Sequence, residues 1–434
     1  MQHDTTCNCG SHIGRIPIEI NWKRNLVFAW LSQVLSLMGF AFAMPFTAFY
    51  IQKDLGITDP QKAKVWMGVF EACGYISLAV MAPIWGILAD RYGRKMMMVR
   101  ANFGGAFFVG LMAFAPNAPV FAALRFLQGA FTGTVSAAQT LVASYTPYRR
   151  QGMALGMMSS AVFAGLSLGN WLGGEFAYRY GYKNAFLMAG AILSLSALIV
   201  VFGIDERFRR EANGGEGPSG ISLRGVAGPI LLLLAAMAFV ARFDAPMLPF
   251  LVQEIHGGVQ GAELWVSRVN VMYCIGAFLA GFLLGWVADR VAPPKVARVC
   301  AVATGLCMIP QALAARFAPL MAARLGMAFF AGGLDPVFQI WLARVTPAER
   351  RGSIFGWAVT VKSIGWGISP CLSVLVGVRY GVRSCFAVSA VLFILLIPLI
   401  GFVAGKVSRP GANGGGVEAS PVTLRSAPGV KMGK

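Results

Sequence analysis

Apolar residues run through the chain in stretches of about 20, divided by short polar connections rich in Arg, Lys, Gly and Pro. The stretches fall at 25–51, 65–89, 96–115, 119–143, 152–177, 184–204, 226–252, 265–288, 296–315, 319–343, 352–376 and 384–404. Each is long enough to cross ~30 Å of hydrocarbon as a helix. They are far longer than barrel strands, and open sheets cannot stand in lipid. The spacing therefore predicts an all-α polytopic membrane protein with twelve transmembrane helices. The first 24 residues are polar and lack the apolar core and small-residue cleavage site of a signal peptide.

Composition agrees. Of 434 residues 57% are hydrophobic and 13% charged, about half the charge of an ordinary soluble domain. The net charge is +19, which by itself raises nucleic acid or anionic lipid as partners. Its placement answers that. Twenty-four basic residues fall in the loops after even-numbered spans and at the two chain ends, nine fall on the opposite side, and four fall inside spans. The bias predicts that both termini are cytoplasmic and leaves no argument for nucleic acid. The segment 205–225 mixes charge with Gly, Pro and Ser and reads as a linker. The division is then an N-terminal segment 1–24, a six-helix half 25–204, the linker, a second half 226–404 and a disordered tail 405–434.

The second half repeats the first at an offset of about 200. TPYRRQGMALG at 146–156 matches TPAERRGSIFG at 346–356, and RYGYKNAF at 179–186 matches RYGVRSCF at 379–386. Arg125 matches Arg324, and Gln139 matches Gln339. Six helices per repeat keep both halves in one orientation, the plan of pseudo-symmetric transporters with a midplane site.

Three motifs carry a family resemblance. The first is GILADRYGRK at 86–95, with Gly86, Asp90, Arg91, Gly93, Arg94 and Lys95. The second is Arg125 with Gln128 in LRFLQG. The third is GLSLGNWLGG at 165–174, with Gly165, Gly169, Asn170, Gly173 and Gly174. Together they make residues 25–404 resemble the major facilitator superfamily, and more narrowly its twelve-helix drug:proton antiporters of the bacterial multidrug-efflux type. The resemblance implies that the first motif is a gating latch, its Asp90 lying near the start of helix eleven at Gly352-Ser353. It implies that Arg125 assists proton transfer by acting on a neighbouring acid. The third motif follows the antiporter signature GxxxGPxxGG, with Asn170 in place of the proline. Small residues at this spacing are expected to bring helix five close to the other half. The second copy of the first motif is degraded, with Pro293 and Pro294 where Gly-Arg would stand.

Charged residues inside spans are costly and mark function. Here they are Arg125, Arg242, Arg324 and Lys362, with the acids Glu71, Asp244 and Asp335. The family architecture implies that Arg125, Asp244 and Asp335 line the cavity and that Glu71 and Lys362 meet between the halves. Protonation of one of the acids is then the expected switch, because a desolvated carboxyl titrates nearer neutral pH. Asp335 precedes Pro336, where a break in the helix is expected. Pro-interrupted, Met- and Phe-rich stretches at 40–46 and 247–250 suit lipophilic ligands or plain helix packing.

No phosphate loop or HExxH is present, so neither ATP drive nor an enzyme is expected. The His3, Cys7, Cys9 and His12 group fits no structural zinc spacing, and no metal is expected. The expected function is proton-coupled export of small lipophilic or cationic compounds by alternating access, with no cofactor beyond the proton gradient. The partners are a small-molecule substrate, protons and membrane lipid. The setting is the bacterial inner membrane, and the protein is a monomer, as the family usually is. The alternatives are a transporter, possibly for uptake, of an endogenous metabolite or organic anion, and more remotely a receptor or scaffold.

Overall fold

The computed structural model describes residues 21–147, 150–206, 227–346 and 351–407. The N-terminal His/Cys group, most of the linker and nearly all of the 405–434 tail lie outside the described residues.

Fifteen α-helices follow one another among the described residues: α1 Trp22–Ala43, α2 Thr47–Lys53, α3 Pro60–Tyr92, α4 Arg94–Met112, α5 Ala118–Ala130, α6 Thr134–Tyr145, α7 Gln151–Tyr180 and α8 Tyr182–Gly203, then α9 Ala227–Ala241, α10 Leu248–His256, α11 Ala262–Arg290, α12 Pro293–Leu313, α13 Phe317–Val345, α14 Arg351–Tyr380 and α15 Val382–Val407. Ten helical stretches are long and apolar enough to cross a membrane. They include every predicted span except 96–115 and 119–143. The first of these, α4, opens with Arg94, Lys95 and Arg100. The second is split into α5 and α6.

That split corrects the expectation of one continuous helix over 119–143. Gly133 has φ +124°, a backbone state that glycine takes without steric cost, and it separates the two pieces. The matching segment of the second half, α13, runs unbroken through Pro336. The interruption expected at Asp335-Pro336 is therefore absent, and its first-half counterpart carries the break instead. Of the two stretches expected to be interrupted at proline, 40–46 is broken at Pro45, whereas the second break falls at Pro246, just ahead of the expected 247–250 stretch, whose Pro249 lies in the first turn of α10. Single 3-10 turns at Met44–Phe46 and Ala245–Met247, each centred on a proline, divide α1 from α2 and α9 from α10.

Both sets of long helices pack through small residues. In lipid no hydrophobic force joins helices, so close backbone approach supplies the contact. A Cβ on Gly165, Gly169 or Gly173 would stand 2.4, 2.4 or 2.3 Å from the carbonyls of Val34, Met38 and Phe42. The third motif thus fits α7 to α1 within the first half, not to the other half as expected. Only its end reaches across: Gly174 faces Ser267 of α11, and the Ser267 hydroxyl donates to the Asn170 carbonyl at 2.7 Å. Asn170 also donates from its side chain to the Leu166 carbonyl at 2.7 Å, and α7 stays continuous. Its proline counterpart, Pro370, sits inside a continuous α14.

Elsewhere α3 runs against α14, and α7 against α11. The end of the bundle that holds Trp22, Arg94 and Ile204 will be called the termini end. The opposite end holds Lys53, Gly181 and Gly257. There the α1–α2 and α9–α10 breaks are sealed by an apolar mass of Phe46, Phe49, Tyr50, Met247, Phe250 and Leu251. Tyr50 donates to the Met112 carbonyl at 3.0 Å, and Phe70 stacks on Phe121. The Met- and Phe-rich stretches at the two breaks are core, not an open ligand wall.

Candidate functional site

Three groups of charge are built into the helices. The first is an ion pair closed inside the second half. Arg324 of α13 donates from Nη1 to Asp244, which stands just before the Ala245–Met247 turn, and bonds Gln311 of α12 at 3.3 Å. Arg324 and Asp244 are 5% and 2% exposed. Asp244 stands at the turn that separates α9 from α10 at Pro246.

The second group is Arg125 of α5, 3% exposed, in the position that matches Arg324. Its Nη1 donates to Gln128 at 2.5 Å, and its guanidinium lies over Phe40 and Phe70 at 5.3 and 5.2 Å. Its Nε has no partner. Gly74 makes the room: a Cβ there would stand 2.6 Å from that Nε. Arg125 and Asp244 are therefore packed between helices and do not line an open cavity as the family architecture led one to expect. No carboxylate forms an ion pair with Arg125 among the described residues. Arg324 has a carboxylate partner that Arg125 lacks, since Ala43 stands opposite Asp244 in the repeat.

The third group is half open. Lys362 of α14 donates to Asp335 of α13 at 2.9 Å, and Gln339 donates to the same carboxylate at 2.5 Å. The Asp335 side chain keeps 35% of its exposure and that of Lys362 13%. Lys362 thus pairs within its own half, and the expected meeting with Glu71 does not occur. The Asp335 carboxylate stands 2.9 Å from the Lys362 ammonium, so the charge of Lys362 is taken up by α13.

Glu71 belongs instead to a cluster that the sequence reading left unassembled. Arg242, beside Asp244 at the α9–α10 break, lies with its guanidinium 5.6 Å over Tyr75, four residues on from Glu71. Glu71, Tyr75, Tyr273 and Asp244 all lie within its electrostatic reach. Tyr75 in turn packs on Trp366 of α14 at 5.8 Å. Arg242 is exposed although it stands midway along the α9–α10 segment. The aromatic partners carry no sequence motif; the one available signal was the charge of Arg242 in an apolar run.

The first motif closes the turn between α3 and α4. Gly93 takes φ +91°. The amides of Arg94 and Lys95 donate to the Glu206 carboxylate at 2.9 and 2.7 Å, an acid seated on the free amides of a helix start. Lys95 Nζ donates to the carbonyls of Val201 and Ile204, at the end of α8. Val201 and Ile204 lie in the first half, and Glu206 lies just past it. Glu206, at the edge of the linker, was missed from sequence because nothing local marks it as a cap. Arg91 is exposed, over Tyr92. Side chains of Asp90, Gly352 and Ser353 lie outside the described residues. In the degraded second copy, Pro293 and Pro294 open α12, where a missing N–H costs nothing.

These features can be set beside known proteins. A family model described as Major Facilitator Superfamily matches residues 29–258 and 230–429. The chain is 30% identical over 382 residues to the multidrug resistance protein MdtG of Citrobacter koseri, covering 86% of this chain and 93% of that one. It is 30% identical over 376 residues to MdtG of Escherichia coli, covering 86% and 92%. Among solved structures, it resembles the human organic anion transporter MFSD10 with TM-score 0.66 and 16% identity over 88% of this chain and 99% of that one. It resembles the nucleoside transporter NupG with TM-score 0.73 and 12% identity over 87% and 99%. Those structural likenesses speak to the fold. The family match reaches from residue 29 to 429 and the MdtG alignments span almost the whole of that protein, so the chain belongs to the Major Facilitator Superfamily, a family of transporters.

Proposed function

We propose that the chain is a proton-coupled exporter of small lipophilic or cationic compounds in the bacterial inner membrane. Twelve spans form two parallel six-helix halves, with α4 and the broken α5–α6 completing the ten apolar stretches, and both termini are cytoplasmic. The halves rock about a midplane site, and no cofactor is needed beyond the proton gradient. The protein works as a monomer.

The observation that carries the reading is the half-open Asp335–Lys362 pair, in a chain related to MdtG multidrug resistance proteins. A proton that reaches Asp335 removes its charge and frees Lys362. The freed ammonium can no longer hold α14 to α13, and the balance between inward and outward states shifts. The closed Asp244–Arg324 pair and the unpaired Arg125 frame the site. Asp90 and Arg94 act as the latch at the termini end. The test is flux of a lipophilic cation into liposomes under an imposed pH gradient, with Asp335→Asn, Glu71→Gln and Asp244→Asn compared. Full coupling in all three variants would overturn the reading.

One observation favours a second reading. Arg242, lying over Tyr75 at the α9–α10 break, suits the head of an organic anion. Gradient-driven flux of an organic anion in place of the cation, lost in Arg242→Gln, would support it.

A further inference from the structure

A cavity of about 430 Å³ opens at the end opposite the termini, within the range of small-molecule sites. Its walls come from the end of α2, the α7–α8 junction, the 257–261 loop and the first turn of α11. Both halves therefore contribute. Lys53, Asp54, Tyr178, Tyr180, Tyr182 and Glu263 define its chemistry.

Glu263 is the unusual member. It is 2% exposed, yet its Oε2 has no hydrogen-bond partner. A carboxylate oxygen held dry without a donor is unfavourable. The start of α11 eases the charge through the helix dipole but supplies no donor to Oε2. The Tyr182 hydroxyl hydrogen-bonds with the Glu263 carboxylate, which leaves Oε2 as the oxygen without a partner among the described residues. Lys53 Nζ donates to the Tyr182 hydroxyl at 3.3 Å and lies 5.4 Å over that ring. Lys53 and Lys183 both act on Asp54. The lysine seated on Tyr182 shows that this aromatic wall accepts an ammonium group. Tyr178 and Tyr180, both exposed, offer two more rings to the space.

We propose that this cavity is a binding site for a protonated primary or secondary amine on a small aromatic or alkyl body. The ammonium N–H donates to Glu263 Oε2, and the body rests on Tyr178 and Tyr180. The N–H is essential, because Oε2 lacks a donor and a quaternary ammonium brings none. Lys53 and Lys183 set a positive rim that disfavours dications. The site is separate from Asp335 and Lys362 and does not rest on the exporter reading, since binding is read without a gradient.

The test uses the purified full chain in lipid nanodiscs and isothermal titration with phenethylamine. Its trimethylammonium analogue and phenethyl alcohol serve as probes of equal shape. Saturable phenethylamine binding is expected, with at least tenfold weaker binding of both analogues. Glu263→Gln, which keeps the side-chain shape, is expected to remove one bound equivalent of amine. Tyr178→Ala, at an exposed ring, is expected to weaken that equivalent severalfold while leaving the thermal midpoint unchanged. An unchanged number of bound equivalents in Glu263→Gln would overturn the assignment. So would equal binding of the trimethyl analogue, or no saturable binding to the wild type. Loss of gradient-driven flux with amine binding intact would count against export alone.

Discussion

Arg324 of α13 is bound to Asp244 before the α10 helix, and both side chains are almost wholly removed from solvent. Breaking a buried pair on one side strands the other charge, at a cost of about 3–5 kcal/mol. Asp244→Ala and Arg324→Ala are each expected to lower the thermal midpoint of the detergent-purified protein sharply. The double variant Asp244→Leu with Arg324→Met is expected to recover most of the loss. A double variant no better than either single one would show that the pair is not what the singles break.

The Asp335–Lys362 pair differs because it is half open. Exposed pairs contribute about 0–1 kcal/mol. Asp335→Asn and Lys362→Met are therefore expected to leave the thermal midpoint close to wild type while removing proton-driven flux. A large drop in midpoint would make the pair structural.

Gly129 and Gly74 meet with no space between them. A Cβ on Gly129 would stand 2.3 Å from the Gly74 carbonyl oxygen, a backbone atom that cannot step aside alone. Gly129→Ala is expected to destabilise the protein by about 1–3 kcal/mol, as overpacking does. Gly86→Ala meets nothing within 4 Å and is the matched control, expected to fall within about 0.5 kcal/mol of wild type. The comparison of the two unfolding midpoints decides it.

Glu206, just past the end of α8, caps the start of α4. Its replacement by Gln removes the charge from two amide bonds, and a lost cap costs about 0.5–2 kcal/mol. Faster hydrogen exchange at Arg94 and Lys95, with the centre of α8 unchanged, is the expected signature. Equal exchange in wild type and variant would remove the cap.

The helical class was legible because bilayer-length apolar runs have one structural solution. The Pro break at 44–46 was legible as well, but the second fell at Pro246 and not at Pro249, and Pro336 breaks nothing, because packed helices accommodate proline. The break at Gly133 was not legible, because a lone glycine in an apolar run is also tolerated within a helix. The charged residues at issue were all visible as charges. Their partners were not: Lys362 to Asp335 is a matter of which faces α13 and α14 present, which spacing along one helix does not set. Tyr75, Tyr273 and Trp366 were invisible for the same reason, as aromatic residues are ordinary in spans. The glycines of 165–174 announced close packing, while the partner, α1, emerged only with the fold.

The central claim is that a proton on Asp335 drives export. Vesicles with an acidic lumen, carrying the purified protein, should accumulate ethidium when the outside is made alkaline. A protonophore should abolish the accumulation, and Asp335→Asn should remove its dependence on the gradient. Accumulation by the variant that follows the pH gradient as fully as the wild type does would contradict the account.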